Sequence, residues 1–351
     1  MIIYCIFFFI TCLTAVLIKY GSLTSAKLTE YIWFFILVLF VGLRKDVGTD
    51  YPAYEQIYTE ISSFGDTSYS VEPGYFFINQ LVAFFHGDFL WVTLITAFIS
   101  AAFLFKAINF FLNRDEKGIG YIVFISIGVF FVYYFSGIRQ GVTISIFLFA
   151  IKYIIERRLT YYLFFLLLGS LFHTSILFFI PLYWVSSVPF RRDLIFIGSI
   201  VSLILARVGI TALIFGYIID LFTGGHYMGY KDLFSGGANT KTGLGVILRI
   251  LIGLSLVGLS KTWIKNTAHI ILYNMFAIGV ILYCFFLGVD ILNRISEYLT
   301  DLMIFIIPIS FSSFNYKSKI IYGIIVLFIL IALYYSNLNF DGMNIVPYHV
   351  R

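Results

Sequence analysis

The sequence predicts an all-α polytopic membrane protein of about 11–12 transmembrane helices, with one short helix dipping in from the outer face. Three observations carry that prediction. Hydrophobic residues make up 61% of the chain and charged residues only 12%, where soluble domains carry roughly 25% charge. Mean hydropathy is +0.97. Apolar runs, each near the roughly 20 residues that a spanning helix needs, recur from Met1 to Ser336 with no long polar block between them. A water-soluble fold cannot hide that much apolar surface, so residues 1–351 are expected to form one transmembrane domain.

Taken in order, the expected spans are 2–18, 28–43, 88–112, 119–135, 138–155, 160–172, 174–186, 194–216, 244–260, 267–288, 294–312 and 319–336. The run 2–18 has no basic residue ahead of it and no small-residue cleavage site before Lys19, which makes it a first span rather than a leader. Loops after the odd crossings hold Lys19 and Lys27, Arg114 and Lys117, Arg157 and Arg158, Arg191 and Arg192, Lys261 and Lys265, Lys317 and Lys319. Basic residues in alternate loops mark the cytoplasmic side, which puts both termini and the longer loops 44–74 and 217–243 outside. Two elements are shaped by this parity. The segment Tyr75 to Phe85 is too short to cross and becomes the dipping helix. The stretch 160–186 splits at His173 into two short helices, which keeps Arg191 and Arg192 inside. Non-helical backbone at such a break is tolerated only inside protein or beside a wet cavity.

Several function classes are excluded or disfavoured. The net charge of +5 is scattered through short loops, without the basic face or arm of a nucleic-acid binder. Cys5, Cys12 and Cys284 all lie in apolar runs and read as packed thiols rather than a disulfide framework. His86, His226, His269 and His349 lack paired spacing with Cys, Asp or Glu, so no metal site and no cofactor is expected. There is no phosphate-cradling glycine loop, nucleophile elbow or dinucleotide fingerprint.

The informative residues are polar groups gathered at the outer face. Loop 44–74 contains Asp46, Asp50, Glu55, Glu60, Asp66 and Glu72. A solvated acidic loop accounts for Glu55, Glu60 and Asp66, whereas Asp50 follows a span in Gly48-Thr49-Asp50-Tyr51 and Glu72 opens Glu72-Pro73-Gly74-Tyr75 before the dipping helix. Arg44 ends the second span, Arg139 starts the fifth after Ser136-Gly137, and Arg294 follows Asp290 at another outer helix end. Arg207 and Arg249 lie within apolar runs, in their outer halves. An ionisable residue at membrane depth is costly and points to function, against which stands snorkelling at helix ends. Five arginines and no lysine favour a ligand that takes fork-shaped hydrogen bonds, a phosphate or carboxylate. His173 at the proposed break is either a hydrogen-bonded core residue or a proton-transfer group. Loop 217–243 offers Tyr227 and Tyr230 beside the glycine pairs Gly224-Gly225 and Gly236-Gly237, as sugar-stacking faces or as an interfacial aromatic belt.

These motifs resemble the EpsG-like family of bacterial polysaccharide polymerases, relatives of the Wzy-type O-antigen polymerases. The matching features are Arg44 with Gly48, Asp50, Tyr51 and Tyr54, then Glu72-Pro73-Gly74-Tyr75, then Ser136-Gly137-x-Arg139-Gln140. His173-Thr174-Ser175 followed by Pro181, and Arg294 with Tyr298, extend the likeness over most of the chain. The resemblance implies a lipid-donor glycosyltransferase of GT-C-like character in the bacterial inner membrane, its active site facing the periplasm. A growing glycan on undecaprenyl diphosphate is transferred to a lipid-linked repeat unit, without a metal, and a chain-length regulator in the membrane is the expected partner. Carried over residue by residue, His173, Arg139, Arg294, Asp50 and Glu72 are the catalytic candidates. Arg44, Arg139, Arg294, Arg207 and Arg249 are candidates for the diphosphate. Tyr51, Tyr54, Tyr75, Tyr227, Tyr230 and Tyr298 are candidates for the sugars. An O-antigen ligase would use much the same chemistry. A lipid-linked oligosaccharide flippase should instead show a two-fold repeat of its spans and charge through a central cavity, and neither is visible.

Overall fold

The computed structural model describes residues 1–188, 190–211, 213–214, 243–287, 289–339 and 341–350. Among the described residues the chain is almost wholly helical, the one sheet being a pair of two-residue strands. It divides into two units, Met1–Tyr183 with Ile307–Arg351, and Trp184–Ile306.

The first unit opens with α1 (Ile2–Tyr20) and α2 (Leu23–Gly42). Ser22 starts α2 by accepting the Ser25 N–H at 3.1 Å, supplying one of the acceptors that a helix N-terminus lacks. Strand β1 (Arg44–Lys45) leads into α3 (Tyr51–Phe64), α4 (Pro73–Phe84) and α5 (Phe89–Phe111), the last capped by Asp88 on the Leu90 N–H at 3.1 Å. Helix α6 (Arg114–Ser126) begins with a capping box between Asn113 and Glu116. It breaks at Ile127 into α7 (Gly128–Phe131) and a π turn, Val132–Ser136, a bend of 59°. Helices α8 (Ile138–Ile155) and α9 (Leu159–Ser170) follow, then a 3-10 helix Thr174–Phe179 and α10 (Leu182–Val185). After the second unit the chain returns as α17 (Tyr316–Leu338) and ends in β2 (His349–Val350), antiparallel to β1.

Small residues allow close helix approach in this unit, as expected where lipid supplies no hydrophobic drive between helices. A Cβ on Gly42 would lie 2.6 Å from the Leu94 side chain, and one on Gly118 would lie 2.6 Å from Ala15. Trp33 of α2 lies against Tyr121 of α6, with 4.1 Å between ring centroids. The basic loops cluster at one end. Arg114 donates to the carbonyls of Ile18, at 2.7 Å, and Gly21, while Lys117 pairs with the buried Glu30 at 3.1 Å. Arg139 and the Arg157–Arg158 pair stand at opposite ends of α8, about 27 Å apart at 1.5 Å per residue.

In the second unit α11 (Arg192–Arg207), α12 (Leu244–Gly258), α13 (Ser260–Trp263), α14 (Thr267–Phe285) and α15 (Asp290–Thr300) precede α16 (Met303–Ser313), which runs on into the first unit. Asn274 of α14 donates to the carbonyls of Ser186 and Val188, both at 2.6 Å, and accepts the Phe190 N–H, so one buried amide satisfies an otherwise irregular entry segment.

The expected class, an all-α polytopic membrane protein, is what the structure has, with several corrections of detail. Among the described residues seven helices are long and apolar enough to cross a membrane, or eight if the bent pair of α6 with α7 and the π turn is one span. That is fewer than the expected 11–12. Three further expected crossings, 160–172, 174–186 and 244–260, fall on shorter apolar helices. The segment 174–186 is not a continuous helix but the 3-10 turn and α10. Loop 44–74 is not irregular: it contains the 14-residue α3, whose Pro52 in the first turn and left-handed Gly65 at the end are ordinary helix punctuation. The short helix expected over 75–85 is present as α4.

Candidate functional site

The first unit gathers the sequence motifs at the α8 N-terminus. Arg44 is the hub. It is 1% exposed, and its guanidinium donates to three backbone carbonyls: Val41, Val47 at 3.3 Å and Phe135 at 3.2 Å. Burial lowers its pKa to about 10, with Tyr51 the largest opposing influence, so the group stays cationic at neutral pH. Gly48 has φ +101°, and a Cβ there would lie 2.3 Å from the Phe135 carbonyl oxygen. Only glycine fits this turn. The next residue, Thr49, donates its N–H to Ser136 Oγ at 3.0 Å. The Arg44–Asp50 turn is thereby fastened to the π turn and Ser136-Gly137, from which α8 starts.

Arg139, in the first turn of α8, reaches across to Glu72, an ion pair whose side chains are 24% and 18% exposed. Its Nη1 also approaches the Ser70 carbonyl at 3.5 Å, whereas its buried Nε has no hydrogen-bond partner. The guanidinium carbon lies 5.7 Å from the centre of the Tyr54 ring, within cation–π range. Tyr54 packs edge-on to Tyr75 at 5.3 Å. Burial raises the phenol pKa of both; Arg139 pulls Tyr54 partly back. Tyr51 is buried with its ring 5.9 Å from the Arg44 guanidinium. Asp50 is half-buried at the N-cap of α3, one helical turn before Tyr54, and its carboxylate is 3.4 Å from Thr49 Oγ1.

The break at His173 joins the same cluster. Gly74, at the start of α4, donates its N–H to the Leu171 carbonyl at 2.7 Å, so closely that a Cβ would lie 2.8 Å from that oxygen. Thr143 Oγ1, one turn after Arg139, lies 2.9 Å from the Arg139 carbonyl and 3.2 Å from that of Gly169. The Gly169 carbonyl in turn accepts from Phe172 and His173 N–H. His173 caps the 3-10 helix, its Nδ1 accepting the Ser175 N–H at 3.3 Å. Arg44, Asp50, Tyr51, Tyr54, Glu72, Tyr75, Arg139 and the His173 turn are thus one connected neighbourhood.

The remaining candidates belong to the second unit. Arg249 of α12 is bound by Glu297 of α15 at 2.8 Å and by Asp301, the C-cap residue of that helix, and faces the Tyr283 ring at 5.3 Å. Asp301 is fully buried and its Oδ2 has no partner. Arg294 is exposed on α15, Arg207 is exposed at the end of α11, and Tyr298 is buried. Tyr227 and Tyr230 lie outside the described residues. The acids of this cluster escaped sequence reasoning, although Glu297 and Asp301, four apart on an apolar segment, are spaced to share one helix face. Among the described residues no group of three or more His, Cys, Asp or Glu side chains is placed to hold a metal ion.

A protein-family model, that of the EpsG family, matches residues 27–350. The chain belongs to the EpsG family. Membership points to a polysaccharide-polymerase type of function for this multi-pass membrane protein. No curated protein and no solved structure matches the chain.

Proposed function

We propose that this EpsG-family protein is a glycosyltransferase that extends a polysaccharide, moving a glycan from undecaprenyl diphosphate onto a second lipid-linked repeat unit at the outer face of the cytoplasmic membrane. In that transfer the bond between the anomeric carbon and the diphosphate oxygen breaks. A hydroxyl oxygen of the acceptor sugar bonds to the anomeric carbon, its proton passes to a base, and undecaprenyl diphosphate leaves carrying the bonding electrons. The observation that supports this reading is Arg139: a guanidinium in the first turn of α8, partly withdrawn from solvent and held at Nη1 by a single carboxylate, Glu72. Such a fork suits two phosphate oxygens and offsets the charge that develops on the leaving group.

The hydrogen bonds redistribute the remaining roles. Arg44 spends its donors on backbone carbonyls and is a positioning residue. With Nδ1 of His173 accepting from Ser175, the neutral imidazole carries its proton on Nε2, which suits donation to a phosphate oxygen better than removal of a hydroxyl proton. Glu72 is committed to Arg139. Asp50 is the carboxylate best placed to take the acceptor proton, and the ring faces of Tyr54 and Tyr75 frame the sugars.

Deleting the gene tests the class of reaction. If chain extension alone is lost, the surface glycan should carry one repeat unit without the ladder of longer chains. Absence of even that unit would overturn the reading in favour of a flippase. Accumulation of long chains still on their lipid carrier would overturn it in favour of a ligase.

A further inference from the structure

The segment after α17 is tied to the candidate site by backbone and side-chain bonds rather than by a large apolar face. The Asn344 carbonyl accepts the N–H of Gly48 at 2.8 Å. The Ile345 carbonyl accepts from Tyr4 Oη at 2.7 Å, and the Tyr4 carbonyl accepts from Tyr334 Oη at 2.7 Å. Tyr348 donates to the Phe40 carbonyl and stacks on the Phe40 ring, centroids 4.9 Å apart and planes 4° from parallel. Strand β2 then pairs Val350 with Arg44 and His349 with Lys45. Every one of these bonds lands on α1, the end of α2 or the Arg44–Gly48 turn. That turn is the piece that presents Asp50 and anchors Ser136, two residues before α8 begins.

We propose that residues 344–350 are a strap that positions the Arg44–Asp50 turn for glycosyl transfer, with Tyr348 and Tyr4 as positioning residues. This rests on the polymerase reading of the same site. The turn has a left-handed glycine, and besides the strap it is held by the Arg44 guanidinium and the bond from Thr49 to Ser136. Without the strap Gly48 loses the acceptor of its N–H and β1 its only partner strand among the described residues. Asp50 ends that turn, and Arg139 follows the Ser136-Gly137 segment to which the turn is fastened; displacements of about 1 Å between reacting groups cost up to roughly a hundredfold in rate.

Two variants and a cross-link test the strap in the full-length protein, purified in lipid nanodiscs and supplied with lipid-linked repeat units. Tyr348→Ala, and a chain ending at Phe340, should lower kcat by roughly ten- to a hundredfold with KM for the repeat unit little changed and a cooperative melt retained. The pair Lys45→Cys and His349→Cys, in a background free of Cys5, Cys12 and Cys284, faces across an antiparallel register whose Cα spacing, about 4.5–5.5 Å, suits a disulfide. Oxidising that pair in the Tyr348→Ala protein should restore kcat. An activity-independent readout is the reaction of Asp50→Cys with an impermeant thiol reagent, which should speed up severalfold when the strap is removed. Unchanged kcat and unchanged thiol reactivity after truncation would overturn the strap. Loss of kcat only in step with loss of folded protein, unrepaired by the disulfide, would also overturn it. A parent protein that makes no polymer while the thiol readout still responds would instead sink the polymerase reading and leave the strap standing.

Discussion

Arg139 and Arg249 look alike in sequence, each an arginine set in an apolar run, yet the two units use them differently. Arg139 has one carboxylate partner, Glu72, an unpartnered Nε, and a side chain 24% exposed. Arg249 is 13% exposed and faces two carboxylates, one of them fully buried. In the first unit Arg139 is matched one to one with Glu72 and its side chain stays partly exposed, so an arriving diphosphate can reach the guanidinium. At Arg249 two carboxylates face one guanidinium, and an anion could bind it only by displacing Glu297 or Asp301. Depth in the membrane therefore identifies costly arginines, and partner count tells which of them is built to receive a ligand and which to cross-link helices.

The greatest loss of activity is expected at Arg139. Arg139→Lys keeps the charge but loses the planar fork, and chain extension by purified protein should fall on the order of a hundredfold or more, as when a transition-state charge stabiliser is removed. Arg249→Lys should leave the rate per folded molecule near that of the parent. Equal losses at both positions, with equal protein in the membrane, would erase the distinction between a ligand-binding and a structural arginine.

A second prediction concerns stability rather than rate. Asp301→Ala strips a fully buried charge from its partner, and breaking a buried pair this way costs about 3–5 kcal/mol, so the melting temperature of the purified protein should drop markedly. Glu72→Ala at the partly exposed pair should cost less, because water can reach the freed guanidinium. A larger drop for Glu72→Ala than for Asp301→Ala would show that the burial difference does not govern the two pairs.

The helical membrane class was legible from composition and run length, and so was the cluster around Arg44, Asp50, Glu72 and Arg139, because Pro and Gly punctuate each turn that brings them together. What was not legible depends on chain-distant partners. Local sequence shows that Arg44 sits at a span end, but not that carbonyls of Val47 and, 91 residues away, Phe135 absorb its donors. The carboxylates on Arg249 lie 48 and 52 residues beyond it. The helix in 51–64 was hidden by the acidic composition of its surroundings, which reads as solvated loop, and the tail's pairing with β1 left no periodic signal in two-residue strands. Hydropathy also registers short and broken helices as full runs, which is why twelve apolar runs resolve into fewer full-length spans among the described residues.

A slight effect is expected at Gly65, which ends α3 away from Asp50. Gly65 ends α3 at φ +76° with open space where a Cβ would stand, whereas Gly48, at φ +101°, meets the Phe135 carbonyl. Gly65→Ala therefore costs only the left-handed backbone conformation, about 1–2 kcal/mol, at the opposite end of α3 from Asp50. Gly48→Ala adds a clash at the turn itself. Gly65→Ala should lower the melting temperature slightly and leave the surface glycan ladder intact, with kcat close to that of the parent. If it shortened or abolished the ladder at equal protein level, the outer end of α3 would belong to the functional site. The contrast drawn between Arg139 and Arg249 would then have to include Gly65 and the Glu60 carboxylate beside it, which accepts from Thr67 and Ser68 and is held down to a pKa of about 2, mainly by the Ser68 N–H.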